Sequence, residues 1–89
     1  MIRRSVKLVN RLGLHARAAS CLVQAASRFD SNIWLKRDNR RVNAKSIMGV
    51  LMLAAPCGAE LALETEGPDE REAADAVEAL FANRFGEAE

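Results

Sequence analysis

Residues 10–20 read Asn10-Arg-Leu-Gly-Leu-His-Ala-Arg-Ala-Ala-Ser20, and within them a strand pattern gives way to a helix pattern. The stretch contains the only histidine of the chain, His15. The first N–H groups of a helix lack intrahelical partners, and the helix dipole leaves roughly half a positive charge there, so this position attracts anions. Arg17, on the expected first turn, adds a guanidinium suited to phosphate oxygens. We therefore predict a phosphohistidine site at His15.

Alternation of apolar and polar residues predicts four strands around this stretch. A first strand is expected over residues 2–9 and a last one over residues 60–66. Residues 33–37 and 40–43 flank Asp38-Asn39, two residues that tolerate the positive φ of a tight hairpin turn. The hairpin therefore supplies the second and third strands.

Apolar residues at helical spacing predict two longer helices. The first covers residues 16–28 and starts beside His15. The last begins at Asp69, which forms a capping-box-like start with Glu72, and it stops at Gly86 after a core stripe that includes Phe85. The complete predicted order is β-α-β-β-α-β-α.

A short helix over residues 47–53 is expected between the third and fourth strands, with Ser46 as its N-cap. This helix is apolar on every side, and a small protein cannot bury every side of a short helix. If Val50 and Leu53 pack inward, the surplus apolar surface must be partly exposed. It consists of Ile47, Met48, Leu51 and Met52.

Composition narrows the function classes. The 89 residues are expected to form a single domain, 1–89, and the net charge of +1 gives no general basis for nucleic-acid binding, apart from a possible local basic edge. That edge would comprise Arg3, Arg4, Arg37, Arg40 and Arg41. The longest nearly apolar stretch, 47–57, is too short to span a bilayer and no signal-peptide core is present, so we expect a cytoplasmic protein without membrane insertion. Cys21 and Cys57 are isolated, which predicts free thiols and no metal site.

Three motifs, together with the element order, resemble the HPr family of histidine-containing phosphocarriers in the bacterial phosphoenolpyruvate-dependent phosphotransferase system. They are Gly13-Leu-His-Ala-Arg17, Asn43-Ala-Lys-Ser-Ile-Met-Gly49 and Gly67-Pro-Asp-Glu70. The resemblance covers essentially the whole chain. It departs at Ala18, where many members carry a proline that pre-sets the first helical turn, so we expect that turn to be slightly looser here.

The resemblance implies an α+β open-faced sandwich, in which three helices cover one face of a four-stranded antiparallel sheet with strand order 1-4-2-3. It implies a carrier, not a stand-alone enzyme, that takes a phosphoryl group from enzyme I on Nδ1 of His15 and passes it to IIA components. Arg17 would stabilise the phosphate, and no metal or cofactor would take part. A monomer is expected, with HPr kinase/phosphorylase as a third possible partner acting on Ser46.

Plainer interpretations of the same residues stay open. Ser46 is a favoured helix cap whether or not it is phosphorylated. The apolar surface of the short helix is either a docking surface or ordinary core. Beside His15, the outer face of the first helix would also meet partners through Ser20, Cys21 and Gln24. The alternative function is a mainly regulatory interaction protein in a nitrogen-related or incomplete phosphotransferase system.

Overall fold

Four strands form one antiparallel sheet in the computed structural model, which describes residues 1–89. In chain order they are β1 (Ile2–Lys7), β2 (Asn32–Arg37), β3 (Arg40–Asn43) and β4 (Glu60–Glu66). Their spatial order is β1-β4-β2-β3, which confirms the predicted order 1-4-2-3. Val6 lies opposite Leu61, and Leu35 opposite Leu63, so these apolar side chains share the inner face of the sheet.

Three helices cover that inner face: α1 (Ala16–Ala26), α2 (Ile47–Met52) and α3 (Glu70–Ala82). Their buried residues join those of the sheet in one core, with Leu22, Val50 and Val77 among the members that have no exposed surface. The predicted open-faced sandwich is therefore confirmed. Val50 of α2 is buried, as expected for the inward side of that helix.

The first strand and the first helix are shorter than predicted. After Lys7, Leu8 leaves the β-ladder, because its N–H donates to Ala59 O at 2.9 Å and its carbonyl accepts from Gly58 N at 2.7 Å in a turn. Helix α1 ends at Ala26 because the chain tightens there: Phe29 N donates to the Ala26 carbonyl three residues back, at 3.2 Å. At both places the backbone N–H and C=O groups form hydrogen bonds within turns. These residues therefore lie outside the strand and the helix, although the periodic sequence pattern includes them.

The last helix starts at Asp69 as predicted, but without the predicted side-chain cap, and its predicted stop is wrong. Asp69 is the N-cap of α3 but makes no side-chain capping bond. Its carboxylate instead accepts from the backbone N–H of Ser31 at 2.9 Å and from the Ser31 hydroxyl at 2.5 Å. At the other end, α3 stops at Ala82, and a separate 3-10 turn, Arg84–Gly86, carries the buried Phe85. Gly86 therefore ends this turn and not the helix.

Two arginines from the hairpin close the C-terminal end of α2. The Arg37 guanidinium donates to the carbonyls of Leu53 at 3.0 Å and Ala54 at 3.2 Å, and Arg40 donates to the Met52 carbonyl at 2.5 Å. The last carbonyls of a helix lack intrahelical donors and carry a partial negative charge, so both arginines stabilise this end. Helix α2 is thus held to the sheet at its C-terminal end, opposite the end capped by Ser46.

Candidate functional site

His15 is the N-cap of α1, as the sequence predicts. Its backbone is extended, with φ −79° and ψ 178°, and its Nδ1 accepts from the backbone N–H of Arg17 at 3.4 Å. The first intrahelical donor is the N–H of Ala19, which bonds the His15 carbonyl at 2.9 Å. Nδ1 therefore faces the free N–H end of the helix, the position that favours a bound anion.

The loop before His15 is held against a neighbouring turn. Gly13 has φ +67°, and a Cβ at this position would lie 2.5 Å from the carbonyl oxygen of Ala55. Leu14 is buried, and its N–H donates to the same Ala55 carbonyl at 3.0 Å. Glycine is thus required at position 13 both for its backbone conformation and for this close approach. The imidazole is fixed in place by backbone packing, not only by its own contacts.

The C-terminal segment lies against the other edge of the imidazole, which the sequence analysis did not predict. The carboxylate of Glu87 contacts Nε2 of His15 through Oε2 and accepts from the Asn10 side chain at 3.0 Å through Oε1. The Asn10 hydrogen bond and the neighbouring His15 hold the pKa of Glu87 below its usual range. No periodicity or spacing signals this pair, because 72 residues separate its members.

An open cleft of about 610 Å³ borders this pair and is lined by both segments. Arg17 reaches the cleft from α1, and residues 86–89 form the opposite wall. Backbone and side chain both tie the tail down: Arg11 N donates to the Glu89 carbonyl at 2.9 Å, and the two side chains form an exposed ion pair at 3.5 Å. The imidazole, with 29% of its side-chain surface exposed, is accessible from this cleft.

Ser46 is the N-cap of α2, also as predicted. Its hydroxyl oxygen accepts from the N–H of Gly49 at 3.2 Å. The turn before it is closed by Asn43, whose carbonyl accepts from Ser46 N at 3.0 Å and whose side-chain oxygen accepts from Lys45 N at 2.8 Å. The Ser46 hydroxyl is half-buried, so a helix-capping role and access by another protein are both compatible with its position.

The surplus apolar surface of α2 is partly exposed, as predicted, but its four residues differ in exposure. Met48 is 67% exposed, Met52 57% and Ile47 41%, but Leu51 is half-buried and packs against the core. Leu12, beside His15, is 61% exposed and was missed, because in a turn it belongs to no periodic pattern.

The outer stripe of α1 is more buried than expected. Gln24 is exposed and its amide lies 3.4 Å from the Ser20 hydroxyl, which is itself half-buried. Cys21 packs partly against the core, so its thiol is a minor part of any surface. Both cysteines are free, and Cys57 is exposed in its turn.

The arginines proposed as a basic edge are engaged within the protein. Arg3 and Arg41 both bind Glu64 through Nε contacts of 2.9 Å and lower the pKa of this carboxyl, which is 3% exposed. Arg4 binds Asp75 of α3 at 2.6 Å. Arg37 and Arg40 donate to carbonyls at the C-terminal end of α2, so all five guanidinium groups are engaged in contacts within the protein. No cluster of three potential metal-ligating side chains is present, and no helix is long and apolar enough to cross a membrane.

Comparisons with known proteins agree with this geometry. Residues 2–83 match the family described as "PTS HPr component phosphorylation site". The chain is 60% identical over 87 residues to the phosphocarrier protein HPr of Treponema pallidum (strain Nichols), spanning 98% of this chain and 99% of that one. It is 56% identical over 89 residues to the phosphocarrier protein HPr of Cupriavidus necator (strain H16), over the full length of both.

Two solved structures of HPr proteins are also similar to this chain. HPr-C-His from Thermoanaerobacter tengcongensis is 45% identical, with full coverage of both chains and a TM-score of 0.96. An HPr dimer from the same organism has a TM-score of 0.79 at 46% identity, covering 98% of this chain and 100% of that one. On sequence and structure together, the chain belongs to the HPr family of phosphocarrier proteins of the phosphotransferase system.

Proposed function

We propose that residues 1–89 act as a single HPr domain that accepts a phosphoryl group on Nδ1 of His15 from phosphorylated enzyme I and donates it to IIA components. The observation that carries the proposal is the direction of Nδ1, which faces the N-terminus of α1 and the Arg17 N–H. Family membership supports a phosphocarrier, and His15 is the one imidazole available for a phosphohistidine.

The surroundings of Nδ1 suit a phosphate that must be held and then released. Backbone N–H groups of the first turn and the helix dipole favour the dianion, each contribution being about 0.3 to 1 kcal/mol at an exposed site. The Arg17 guanidinium is exposed, lines the cleft and takes part in no ion pair within the chain. It is therefore free to bind phosphate oxygens. One arginine and a helix end stabilise the phosphate without enclosing it, which suits a carrier.

The direct test is phosphorylation by purified enzyme I with radiolabelled phosphoenolpyruvate. Wild-type protein should acquire one acid-labile phosphate, and His15→Ala should acquire none. Arg17→Ala should be phosphorylated at the same residue but about tenfold more slowly, because a charge-assisted hydrogen bond to the phosphate is worth about 1.5 kcal/mol. Label on His15→Ala at the wild-type level would refute the proposal, and wild-type rates in Arg17→Ala would remove the role of that residue.

Ser46 carries the proposed regulation. Its hydroxyl is half-buried at the start of α2, next to the exposed Met48 surface, so a phosphate there lies beside any partner that docks on α2. This position also supports the second candidate function, a mainly regulatory interaction protein, in which the Ser46 state matters more than carriage by His15. Treatment with HPr kinase/phosphorylase followed by mass spectrometry of Ser46→Ala and wild type distinguishes a modified serine from a simple cap.

The proposed docking surface joins α1 and α2 around His15. It comprises Ser20, Gln24, Ile47, Met48 and Met52, with Cys21 and Leu51 as its half-buried floor. Methionine-rich apolar surfaces adapt to several partners in turn, which a carrier between enzyme I and IIA components requires. We also propose that the protein is a monomer in solution, with β1 paired to β4 of its own chain; equilibrium sedimentation tests this.

A further inference from the structure

A hydrogen-bonded chain of three side chains runs from the core to the imidazole. Asn10 has no exposed surface, and its side-chain NH2 donates to the Gly13 carbonyl at 2.7 Å and to Oε1 of Glu87 at 3.0 Å. Both neighbours of this nitrogen are acceptors, which fixes the amide orientation and leaves Asn10 Oδ1 buried without a partner. The second carboxylate oxygen of Glu87 contacts Nε2 of His15. Glu87 is thereby aimed at one ring nitrogen from a rigid base.

We propose that Glu87 is a positioning residue for phosphoryl transfer, which holds the proton of the neutral imidazole on Nε2 and so keeps the lone pair of Nδ1 directed at the phosphoryl donor. The inference rests on the proposed function of His15 and adds to it a residue from the opposite end of the chain. It concerns how the ring is prepared for the reaction, and Glu87 itself does not touch the phosphoryl group.

Both ring contacts select the same tautomer. A neutral imidazole has one N–H and one lone pair. At Nδ1 the facing group is the N–H of Arg17, a donor, and at Nε2 it is the carboxylate of Glu87, an acceptor. The lowered pKa of Glu87, caused first by the Asn10 hydrogen bond, keeps that carboxylate ionised and unable to donate. A proton on Nδ1 would therefore place two donors face to face and leave the carboxylate without its hydrogen.

The transfer step balances without any further proton donor or acceptor. The Nδ1 lone pair attacks the phosphorus of the donor's N-phosphorylated imidazole, and the donor's N–P bond breaks with its electron pair returning to the donor ring. A new N–P bond forms at Nδ1, while the Nε2 proton stays in place. The His15 ring thereby gains one positive charge, and the Glu87 carboxylate lies against the nitrogen that bears the proton. The same carboxylate thus favours the nucleophilic tautomer before transfer and the charged ring after it.

The path of the chain explains why Glu87 reaches His15. Arg84 and Phe85 have φ values of 55° and 54°, a left-handed pair that reverses the chain after α3. Phe85 is buried, and its ring packs on Phe81 with centroids 4.9 Å apart, so apolar burial offsets the backbone strain. The reversal places the tail across the start of α1, where Arg11 and Glu89 fasten its end.

The test compares two isosteric changes in the same tail, Glu87→Gln and Glu89→Gln. Each removes one negative charge, but only Glu87 contacts the imidazole, so the second variant is a matched control for charge and tail structure. In Glu87→Gln the side-chain oxygen can still accept from Asn10, which turns the amide NH2 toward Nε2 and favours the opposite tautomer. The readouts are the ¹⁵N chemical shifts of Nδ1 and Nε2 in the neutral ring, and the rate of phosphorylation at saturating enzyme I.

We expect Glu87→Gln to move the proton from Nε2 toward Nδ1. Only the ring form with its lone pair on Nδ1 can attack, and making it the minor form should slow phosphoryl transfer about tenfold. Its affinity for enzyme I should be unchanged, and Glu89→Gln should match wild type in both readouts. Identical ring shifts in all three proteins would overturn the proposal, as would a tautomer change with no loss of rate. If enzyme I does not phosphorylate the wild-type protein, the proposed function of His15 is refuted. The ¹⁵N shifts of the ring still decide whether Glu87 sets the tautomer.

Discussion

The N-termini of α1 and α2 share one backbone arrangement and differ in what surrounds the capping side chain. In each, an extended residue caps the helix and its side chain accepts a backbone N–H of the first turn, from Arg17 at 3.4 Å for His15 and from Gly49 at 3.2 Å for Ser46. The His15 ring has a second partner, Glu87, brought from the far end of the chain. The hydrogen-bond partners of Ser46 all lie within four residues of it.

This difference fits the two proposed roles, phosphoryl transfer at His15 and regulation at Ser46. A carrier group needs a defined tautomer and a stable geometry. His15 has a long-range contact at Nε2 with Glu87, a local one at Nδ1 with the Arg17 N–H, and the Gly13 turn before it. A regulatory hydroxyl needs only access and a nearby surface on which added charge matters, and Ser46 has both locally. On this proposal, two helix ends capped by extended residues differ in chemistry because their tertiary surroundings differ.

The largest expected effect compares a glycine in each region. Gly13→Ala places a Cβ 2.5 Å from the Ala55 carbonyl at a positive φ, and should lower the free energy of unfolding by about 3 kcal/mol. Gly49→Ala meets no atom closer than 3.4 Å within α2 and gains helix propensity, so it should stay within about 1 kcal/mol of wild type. Urea denaturation measures both. Equal losses would show that the two regions are held by the same kind of packing.

We expect a substitution on the exposed apolar side of α2 to weaken partner binding without lowering the stability of the fold. Met48→Asp places a charge in the most exposed apolar side chain of this helix, and burying a methionine is worth roughly 1.5 to 3 kcal/mol. We expect affinity for both enzyme I and IIA domains to fall about tenfold or more, with a melting temperature close to wild type. Calorimetric titration and circular dichroism give the two values. A large drop in melting temperature would assign Met48 to the core, and unchanged affinities would exclude α2 from the interface.

Added charge at Ser46 should produce a smaller effect of the same kind. Ser46→Asp keeps a good cap at a positive helix end, so stability should hardly change. Its carboxylate lies at the edge of the Met48 surface, and rim charges contribute up to about 1 kcal/mol, which corresponds to a loss of affinity for enzyme I of up to about fivefold. Ser46→Asn is the neutral control of similar shape. If both variants bind and accept phosphate as wild type does, and enzymatically phosphorylated protein does too, the inhibitory role fails.

We expect a fall in pH to weaken the contacts around His15 while the contacts around Ser46 stay unchanged. Because the folded-state pKa of Glu87 is depressed, first by Asn10 and then by His15, its contribution to stability is complete above the unfolded value of about 4.3. The contribution is lost as the pH falls through the lower, folded value. An NMR titration should therefore show the Gly86 amide shifting below about pH 4.3 while the Gly49 amide stays constant. Parallel shifts at both amides would mean that acid acts on the whole fold.

The sequence predicted the parts of this comparison that depend on near neighbours. The element order followed from periodicity and the strand order from the family resemblance. Both caps were predicted because a capping side chain bonds an N–H two or three residues ahead. Errors arose where a polar side chain has a distant alternative. Asp69 satisfies the pattern of a cap, yet its carboxylate binds Ser31, 38 residues earlier in the chain.

The sequence by itself determined the four strands, the three helices, the imidazole at the start of α1 and the surplus apolar side of α2, because each depends on periodicity or on contacts a few residues apart. Only the tertiary structure decided that Leu51 turns inward, that Arg37 and Arg40 close α2, and that Glu87 meets His15. The last contact requires the left-handed reversal at Arg84 and Phe85, which is stable only because the aromatic ring is buried in a core that the whole chain builds. A contact across 72 residues depends on the path of the backbone, and no local spacing encodes that path.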